Sequence, residues 1–139
     1  MTNTGPIDLS TTPIHIGSVA QGAQGFEPLE WFGFDGESFG KYVTEHCSNE
    51  TPGRLVMMET MVSDWPTWER HTEGDELVIV VEGAGIFHQE IEGQCVSSPF
   101  RAGDTFLNPK GVWHTADVVE PMRAVYITPC PGTENKPRG

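Results

Sequence analysis

Basic residues are scarce in this sequence, which has 8 Lys and Arg against 20 Asp and Glu among 139 residues. The formal net charge is therefore -12 at pH 7. A surface this acidic repels the phosphates of nucleic acids and the headgroups of anionic membranes. We therefore expect neither nucleic acid nor a membrane among the partners of the chain.

Long apolar stretches are also missing. The sequence has no run of about 18 apolar residues, the length that a membrane-spanning helix needs. Its first residues lack the basic and apolar regions of a signal peptide. The three cysteines, Cys47, Cys95 and Cys130, are widely spaced and form no CxxC pair. These absences predict a cytoplasmic protein with reduced thiols.

Turn-forming residues, in contrast, are abundant, with 16 Gly and 11 Pro. Short apolar or alternating segments lie between the turns, and a turn at Glu82–Gly85 separates two of them. We expect strands at 55–62, 77–81, 86–91, 105–107, 113–119 and 123–127. Many short strands in a chain of this length predict one all-β domain, a sandwich or a barrel.

The ends of the chain differ from this central part. Residues 1–43 are interpreted as an arm with one short edge strand, followed by an aromatic and glycine-rich covering segment. Gly33, Gly36 and Gly40 favour short strands or a single helical turn over a long helix there. The barrel is assigned to 44–131, and 132–139 to a loose tail. The extra apolar segment and an unpaired strand edge predict a homodimer.

A first group of candidate ligands lies at 69–76. Glu69 and His71 alternate along a predicted strand, so their side chains point to the same face. A tight turn follows, and Glu76 lies at the start of the next strand. A carboxylate just past such a turn can face the same point as the pair before it.

A second group is the segment Gly103-Asp-Thr-Phe-Leu-Asn-Pro-Lys-Gly-Val-Trp-His114. A turn at Gly103, a short strand and a turn through Pro109 and Gly111 bring His114 onto a neighbouring strand. His15, His46 and His88 have no partner at such spacing and are expected at the surface. Two histidines and two carboxylates from separate strands therefore predict a metal site.

Imidazole and carboxylate ligands suit Fe, Mn, Ni, Co or Zn, and two ligand sets are open. Glu69, His71, Glu76 and His114 together form a His2Glu2 site, in which two carboxylates neutralise a dication. Alternatively, His71, Glu76 and His114 form a 2-His-1-carboxylate triad, and Glu69 is a general base beside it. The spacing does not select between the two sets.

Both groups resemble the two motifs of the cupin superfamily, H-x-H-x4-E-x6-G and G-x5-P-x-G-x2-H-x3-N. The second matches from Gly103 through His114, and the first from His71 through Glu76 to Gly83. The resemblance covers about 55–128 and is closest to small single-domain bacterial cupins without an assigned reaction. It implies a double-stranded β-helix, or jelly-roll barrel, with the N-terminal extension added. It also implies that His71, Glu76 and His114 are metal ligands.

Three positions depart from the motifs. Glu69 replaces the first histidine, Ser63 stands where the first motif usually opens with an additional glycine, and Val118 replaces the final asparagine. Glutamate can ligate a metal where histidine does, so the site is retained with an altered ligand set.

The resemblance implies a metal-dependent enzyme that acts on a small organic molecule inside the barrel. A dioxygenase-like oxidoreductase is the first expectation, and isomerase or lyase chemistry the next. Its cofactor would be one divalent metal, Fe, Mn, Ni or Zn. The alternative hypothesis is a non-catalytic cupin that binds or senses a small ligand.

Overall fold

The computed structural model describes residues 5–17, 25–30, 36–47 and 52–139. One helix and nine strands lie in these residues. In chain order they are β1 (Ile14–Gly17), β2 (Phe26–Pro28), α1 (Gly36–His46), β3 (Gly53–Met61), β4 (Thr67–His71), β5 (Glu76–Ile91), β6 (Gln94–Arg101), β7 (Thr105–Asn108), β8 (His114–Cys130) and β9 (Thr133–Pro137). No helix among them is long and apolar enough to cross a membrane.

The nine strands form one antiparallel sheet built around the two longest strands, β5 and β8. Strand β8 also pairs with β3 and β4, while β5 pairs with β6 and β7. Strands β3 and β4 lie on either side of β8, because the order of strands along this path of the sheet is β2-β1-β3-β8-β4-β9. The expected all-β cupin barrel is therefore confirmed.

The core lies on the inward face of β5 and β8. Val78, Val80 and Phe87 on β5 are at most 1% exposed, as are Met122 and Ala124 on β8. Inward and outward residues alternate along β5, as expected for a strand that is buried on one face. Burial of each large side chain contributes about 1.5–3 kcal/mol, which fixes the strand registers on which the site depends.

The sequence predicts a turn at Glu82–Gly85 that separates two strands. The structure instead has a bulge there, within the continuous strand β5. The pairing of β5 with β8 shifts register between Val80 and Gly85. Gly83 has a φ of 95°, and a Cβ there would overlap the backbone of Pro121. Glycine at this position therefore bends the strand without ending it, a role that the sequence does not distinguish from a turn.

The expectation of at most one helical turn at 26–43 is wrong, because α1 runs from Gly36 to His46. Gly36 begins the helix, so only Gly40 lies in its interior, where it costs about 1 kcal/mol. Phe39, Tyr42 and Val43 recur at helical spacing; Tyr42 is buried and Phe39 is half-buried against the core, while Val43 is exposed. The assigned boundary between residues 43 and 44 falls inside this helix. The aromatic residues at 31–35 lie outside the described residues.

Two further expectations are corrected at the ends of the barrel. Cys47 and Cys130 form a disulfide across a sequence separation of 83, so the expected set of reduced thiols is wrong and only Cys95 is free. Residues 132–139 are not a loose tail, because Thr133–Pro137 forms β9 along the full length of β4. Neither the disulfide nor strand β9 could be predicted from the spacing of residues in the sequence, because each depends on contacts between residues far apart in the chain.

The N-terminal extension contributes strands as well as α1. Strand β1 lies between β2 and β3, so the extension continues the barrel sheet. The expected homodimer stays a prediction.

Candidate metal centre

The four candidate ligands lie on three strands, and three of the four are at strand ends. Glu69 and His71 belong to β4, Glu76 is the first residue of β5 and His114 the first of β8. Glu69 is the register partner of His114, which makes them directly opposite neighbours across two strands. The strand pairing thus brings together the residues that the two sequence motifs predict.

Their ligand atoms all lie within 4.8 Å of one another. Nε2 of His71 lies 3.1 Å from Oε2 of Glu76, and Nε2 of His114 lies 3.1 Å from Oε1 of the same carboxylate. Oε2 of Glu69 lies 3.7 Å from each of these two nitrogens. Glu76 is therefore held between the histidines, with Glu69 somewhat farther away.

Glu76 is oriented by two hydrogen bonds from neighbouring strands. Asn108 Nδ2 donates to Oε1 at 3.0 Å, and the Thr128 hydroxyl donates to Oε2 at 2.6 Å. The Glu76 side chain is 2% exposed, so these donors replace the water that a carboxylate would otherwise bind. Each oxygen keeps further lone pairs, because a carboxylate accepts about four hydrogen bonds.

The histidines are oriented through their Nδ1 atoms. Nδ1 of His114 lies 3.1 Å from the Val112 carbonyl oxygen, which only accepts, so Nδ1 carries a proton. Nδ1 of His71 lies 3.0 Å from the Thr133 hydroxyl of β9. In its neutral form His114 therefore presents an unprotonated Nε2 to the centre of the cluster.

Both Nε2 atoms are buried and make no hydrogen bond of good geometry, despite their short distances to Glu76. A buried polar atom without a partner is costly, and a bound ion accounts for two such atoms that face one point. Metal bonds of about 2.1 Å place adjacent ligand atoms about 3.0 to 3.4 Å apart, close to the spacing here. The residues therefore fit a divalent metal ion.

The pKa values of His114 and Glu76 show how the charges of the cluster are balanced when no metal is bound. Burial alone would lower the pKa of His114, but the Glu69 and Glu76 carboxylates raise it to about 9. Burial alone would raise the pKa of Glu76, but His114 and His71 hold it well below its usual range. Without a metal, a protonated His114 supplies the positive charge that this carboxylate requires.

A cavity of about 630 Å³ opens beside the cluster, and Glu69, His71 and Glu76 form part of its wall. Helix α1 contributes Phe39 and Val43 to the same wall. A cavity of this size suits a small organic molecule. The remaining lining side chains are mostly apolar or aromatic, including Leu55, Met57, Met61, Trp65, Pro66, Tyr126, Pro129 and Pro131.

The other three histidines lie away from this cluster. His15 was expected at the surface but is 7% exposed, and its Nδ1 lies 2.8 Å from the Tyr42 hydroxyl. His88 is half-buried, with Ser97 and Asp117 each 2.7 Å from one ring nitrogen. The expectation that His15 and His88 lie at the surface is wrong, because their partners come from other strands or from α1.

The supporting residues were also missed by sequence reasoning. Asn108 lies within the second motif at a position that the motif leaves unspecified. Thr128 and Thr133 lie beyond the motifs, and no local pattern marks them. The strand register provides the missing information, because it places Asn108 opposite Glu76.

Comparison with known proteins agrees with this architecture. A family model described as a cupin domain matches residues 56–128. A Klebsiella pneumoniae protein with a double-stranded β-helix domain has a similar structure, at 20% identity and a TM-score of 0.51. That match covers 69% of this chain and 95% of the other. The sequence matches no curated protein.

Two more distant structures have TM-scores below 0.5. A cupin-2 domain protein from Shewanella frigidimarina is 25% identical, with a TM-score of 0.44 over 55% of this chain and 71% of the other. The hydroquinone 1,2-dioxygenase of Sphingomonas sp. TTNP3 is 13% identical, with a TM-score of 0.46 over 55% of this chain. This chain covers 59% of that dioxygenase.

Proposed function

The chain belongs to the cupin family, and we propose that it is a metal-dependent enzyme acting on a small organic molecule in the cavity beside Glu69, His71, Glu76 and His114. The observation that carries the proposal is the pair of buried Nε2 atoms, on His71 and His114, that face a common point and make no hydrogen bond of good geometry. That point adjoins a cavity large enough for a substrate.

All four side chains would hold the metal in this proposal. Glu76 and the two histidines are at most 2% exposed and would form its buried side. Glu69 is 31% exposed and lines the cavity, so it would complete the set from the substrate side. Two carboxylates balance the charge of a divalent ion, which lowers the cost of burying it.

The metal, when bound, would supply Lewis-acid or oxygen-binding chemistry next to the substrate. We propose a dioxygenase-like oxidation first, with isomerase or lyase chemistry as the next class. The apolar cavity wall would exclude water from the reacting groups. Thr128, Asn108 and Thr133 would keep the ligands in place during turnover.

Elemental analysis of the purified full-length protein tests the metal part of the proposal. The wild type is expected to contain about one equivalent of Fe, Mn, Ni or Zn. The His71→Ala/His114→Ala variant is expected to lose it, whereas His88→Ala, which changes a histidine outside the cluster, keeps it. A folded wild type that stays empty after soaking with each of these metals would overturn the proposal.

Oxygen consumption by the iron-loaded protein tests the reaction class. Small phenols, amines and alcohols are the candidate substrates, with the double-histidine variant as the control. Consumption that needs both the substrate and the two histidines supports an oxygenase. Metal-dependent ligand binding without turnover would identify a non-catalytic binding cupin instead.

A further inference from the structure

The cavity wall has an unusual charge composition. Three of its residues are acidic, Glu59, Glu69 and Glu76, and none of its described lining residues is Lys or Arg. A bound divalent metal would balance Glu69 and Glu76, which leaves Glu59 as the uncompensated charge. An anionic ligand would therefore meet repulsion everywhere except at the metal itself.

Glu59 lies on β3, separate from the metal ligands on β4, β5 and β8. Its side chain is half-buried in the cavity wall and has no hydrogen-bond or ion-pair partner in the described part of the chain. Burial, together with the nearby Glu69 carboxylate, raises the pKa of Glu59. A half-buried carboxylate without a partner is unfavourable unless something in the cavity pairs with it.

Two aromatic residues beside it also have unsatisfied polar atoms. Tyr126 is 4% exposed and Trp65 8% exposed, and both line the cavity. The Tyr126 hydroxyl and the Trp65 indole nitrogen are buried and make no hydrogen bond. The two rings lie 6.0 Å apart, so they form one aromatic corner of the wall.

We propose that the ligand of this cavity is a small organic ammonium compound with an apolar body, held by the Glu59 carboxylate and the Tyr126 and Trp65 rings. An ammonium group donates a hydrogen bond to the Glu59 carboxylate. Its charge is also attracted to the faces of the aromatic rings. The apolar body packs against Leu55 and Met57. This proposal deepens the proposed function by naming the substrate class of the same cavity.

Three probes of similar shape separate the effects of charge and shape. Benzylammonium, benzyl alcohol and benzoate are titrated into the zinc-loaded full-length protein. Binding is followed by the shift of the Trp65 indole N–H signal in NMR spectra, assigned with a Trp65→Phe variant. Benzylammonium is expected to bind at least about tenfold more tightly than benzyl alcohol, because a charged hydrogen bond outweighs a neutral one.

Glu59→Gln should remove the preference for the ammonium probe, because it removes the carboxylate charge while keeping the shape of the side chain. Glu82→Gln makes the same charge change at an exposed residue outside the cavity, so it should keep the preference. Tyr126→Leu, which removes the aromatic ring face, should weaken ammonium binding and provides a second test if Glu59→Gln misfolds. Equal binding of the ammonium and alcohol probes, stronger binding of benzoate, or an unchanged preference in Glu59→Gln would overturn the inference.

Zinc content is measured on every variant. Bound zinc without an ammonium preference would refute this inference and leave the metal site intact. Loss of zinc from the wild type would refute the proposed function instead.

Discussion

The Thr128 hydroxyl donates a 2.6 Å hydrogen bond to Oε2 of Glu76 inside the barrel. Thr128 lies near the end of β8 and Glu76 at the start of β5, so this contact links the two longest strands at the candidate metal site. The same carboxylate oxygen faces Nε2 of His71 at 3.1 Å. Thr128 therefore orients Glu76, a proposed metal ligand, without being a proposed ligand itself.

Thr128→Val removes this hydroxyl while keeping the shape of the side chain. We expect the metal dissociation constant to rise roughly 10- to 100-fold, as for other residues that orient metal ligands. Competition with a zinc chelator measures the change. Thr60→Val alters an exposed threonine of β3 and should leave the constant unchanged. An equal effect of both substitutions would contradict a specific role for Thr128.

The two carboxylates of the cluster should differ in importance. Glu76→Gln removes the charge between the two histidines, and we expect the purified protein to lose its stoichiometric metal. Glu69→Gln leaves three ligands, so the metal should be retained but exchange faster with a chelator. Metal-to-protein ratios after dialysis give the comparison. Full retention of metal by Glu76→Gln would show that this carboxylate is not a ligand.

Metal binding should release a proton at neutral pH. The raised pKa of His114, about 9 in the metal-free cluster, means that its Nε2 is protonated at pH 7. Because a metal ligand must be unprotonated, the apparent affinity should rise up to about tenfold per pH unit and level off above pH 9. Calorimetric titration in buffers of different ionisation enthalpy counts the protons. Zero protons released at pH 7 would contradict the charge state inferred for His114.

The stability of the metal-free protein should fall as pH rises, whereas the metal affinity should increase. A histidine whose pKa is raised by folding stabilises the native state fully below its unfolded value, near 6.5. That contribution is lost as pH rises through about 9. We therefore expect the free energy of unfolding of the chelator-treated protein to fall between pH 6.5 and 9. Urea unfolding of wild type and His114→Ala measures it, and the variant should lack this slope.

The disulfide between Cys47 and Cys130 connects the residue after α1 to the last residue of β8. Under denaturing, non-reducing conditions, alkylation should label Cys95 alone, and after reduction all three cysteines. Closing so long a loop typically stabilises a protein by about 2–4 kcal/mol, so Cys47→Ser/Cys130→Ser should unfold at lower temperature. Cys95→Ser is the matched control. Three thiols labelled without reduction would contradict the bond.

The sequence alone predicted the barrel and all four cluster residues, because both depend on local patterns. Alternation placed Glu69 and His71 on one face, and turn residues placed Glu76 and His114 at strand ends. Long-range pairing was not predictable in this way. The contact of Thr133 with His71 depends on β9 lying against β4, and no periodic pattern in that segment indicates a strand.

The important residues of the cavity were likewise not predictable from local sequence patterns. Glu59 and Tyr126 were not singled out because their significance depends on having no partner, which only the assembled strands show. Helix α1 was missed since glycines at 36 and 40 suggested a break, although the burial of Tyr42 outweighs their cost.

The cavity wall combines residues from inside and outside the part of the chain that matches the cupin family model. All four cluster residues lie within 56–128, the part shared with the cupin family model. Phe39, Val43 and Thr133 lie outside that part, yet they complete the cavity wall. Thr133 also contacts Nδ1 of His71, so substitutions in α1, rather than in β9, can change which molecules enter the cavity without disturbing the cluster. The selectivity of the cavity could therefore be changed from α1 while Glu69, His71, Glu76 and His114 keep their surroundings.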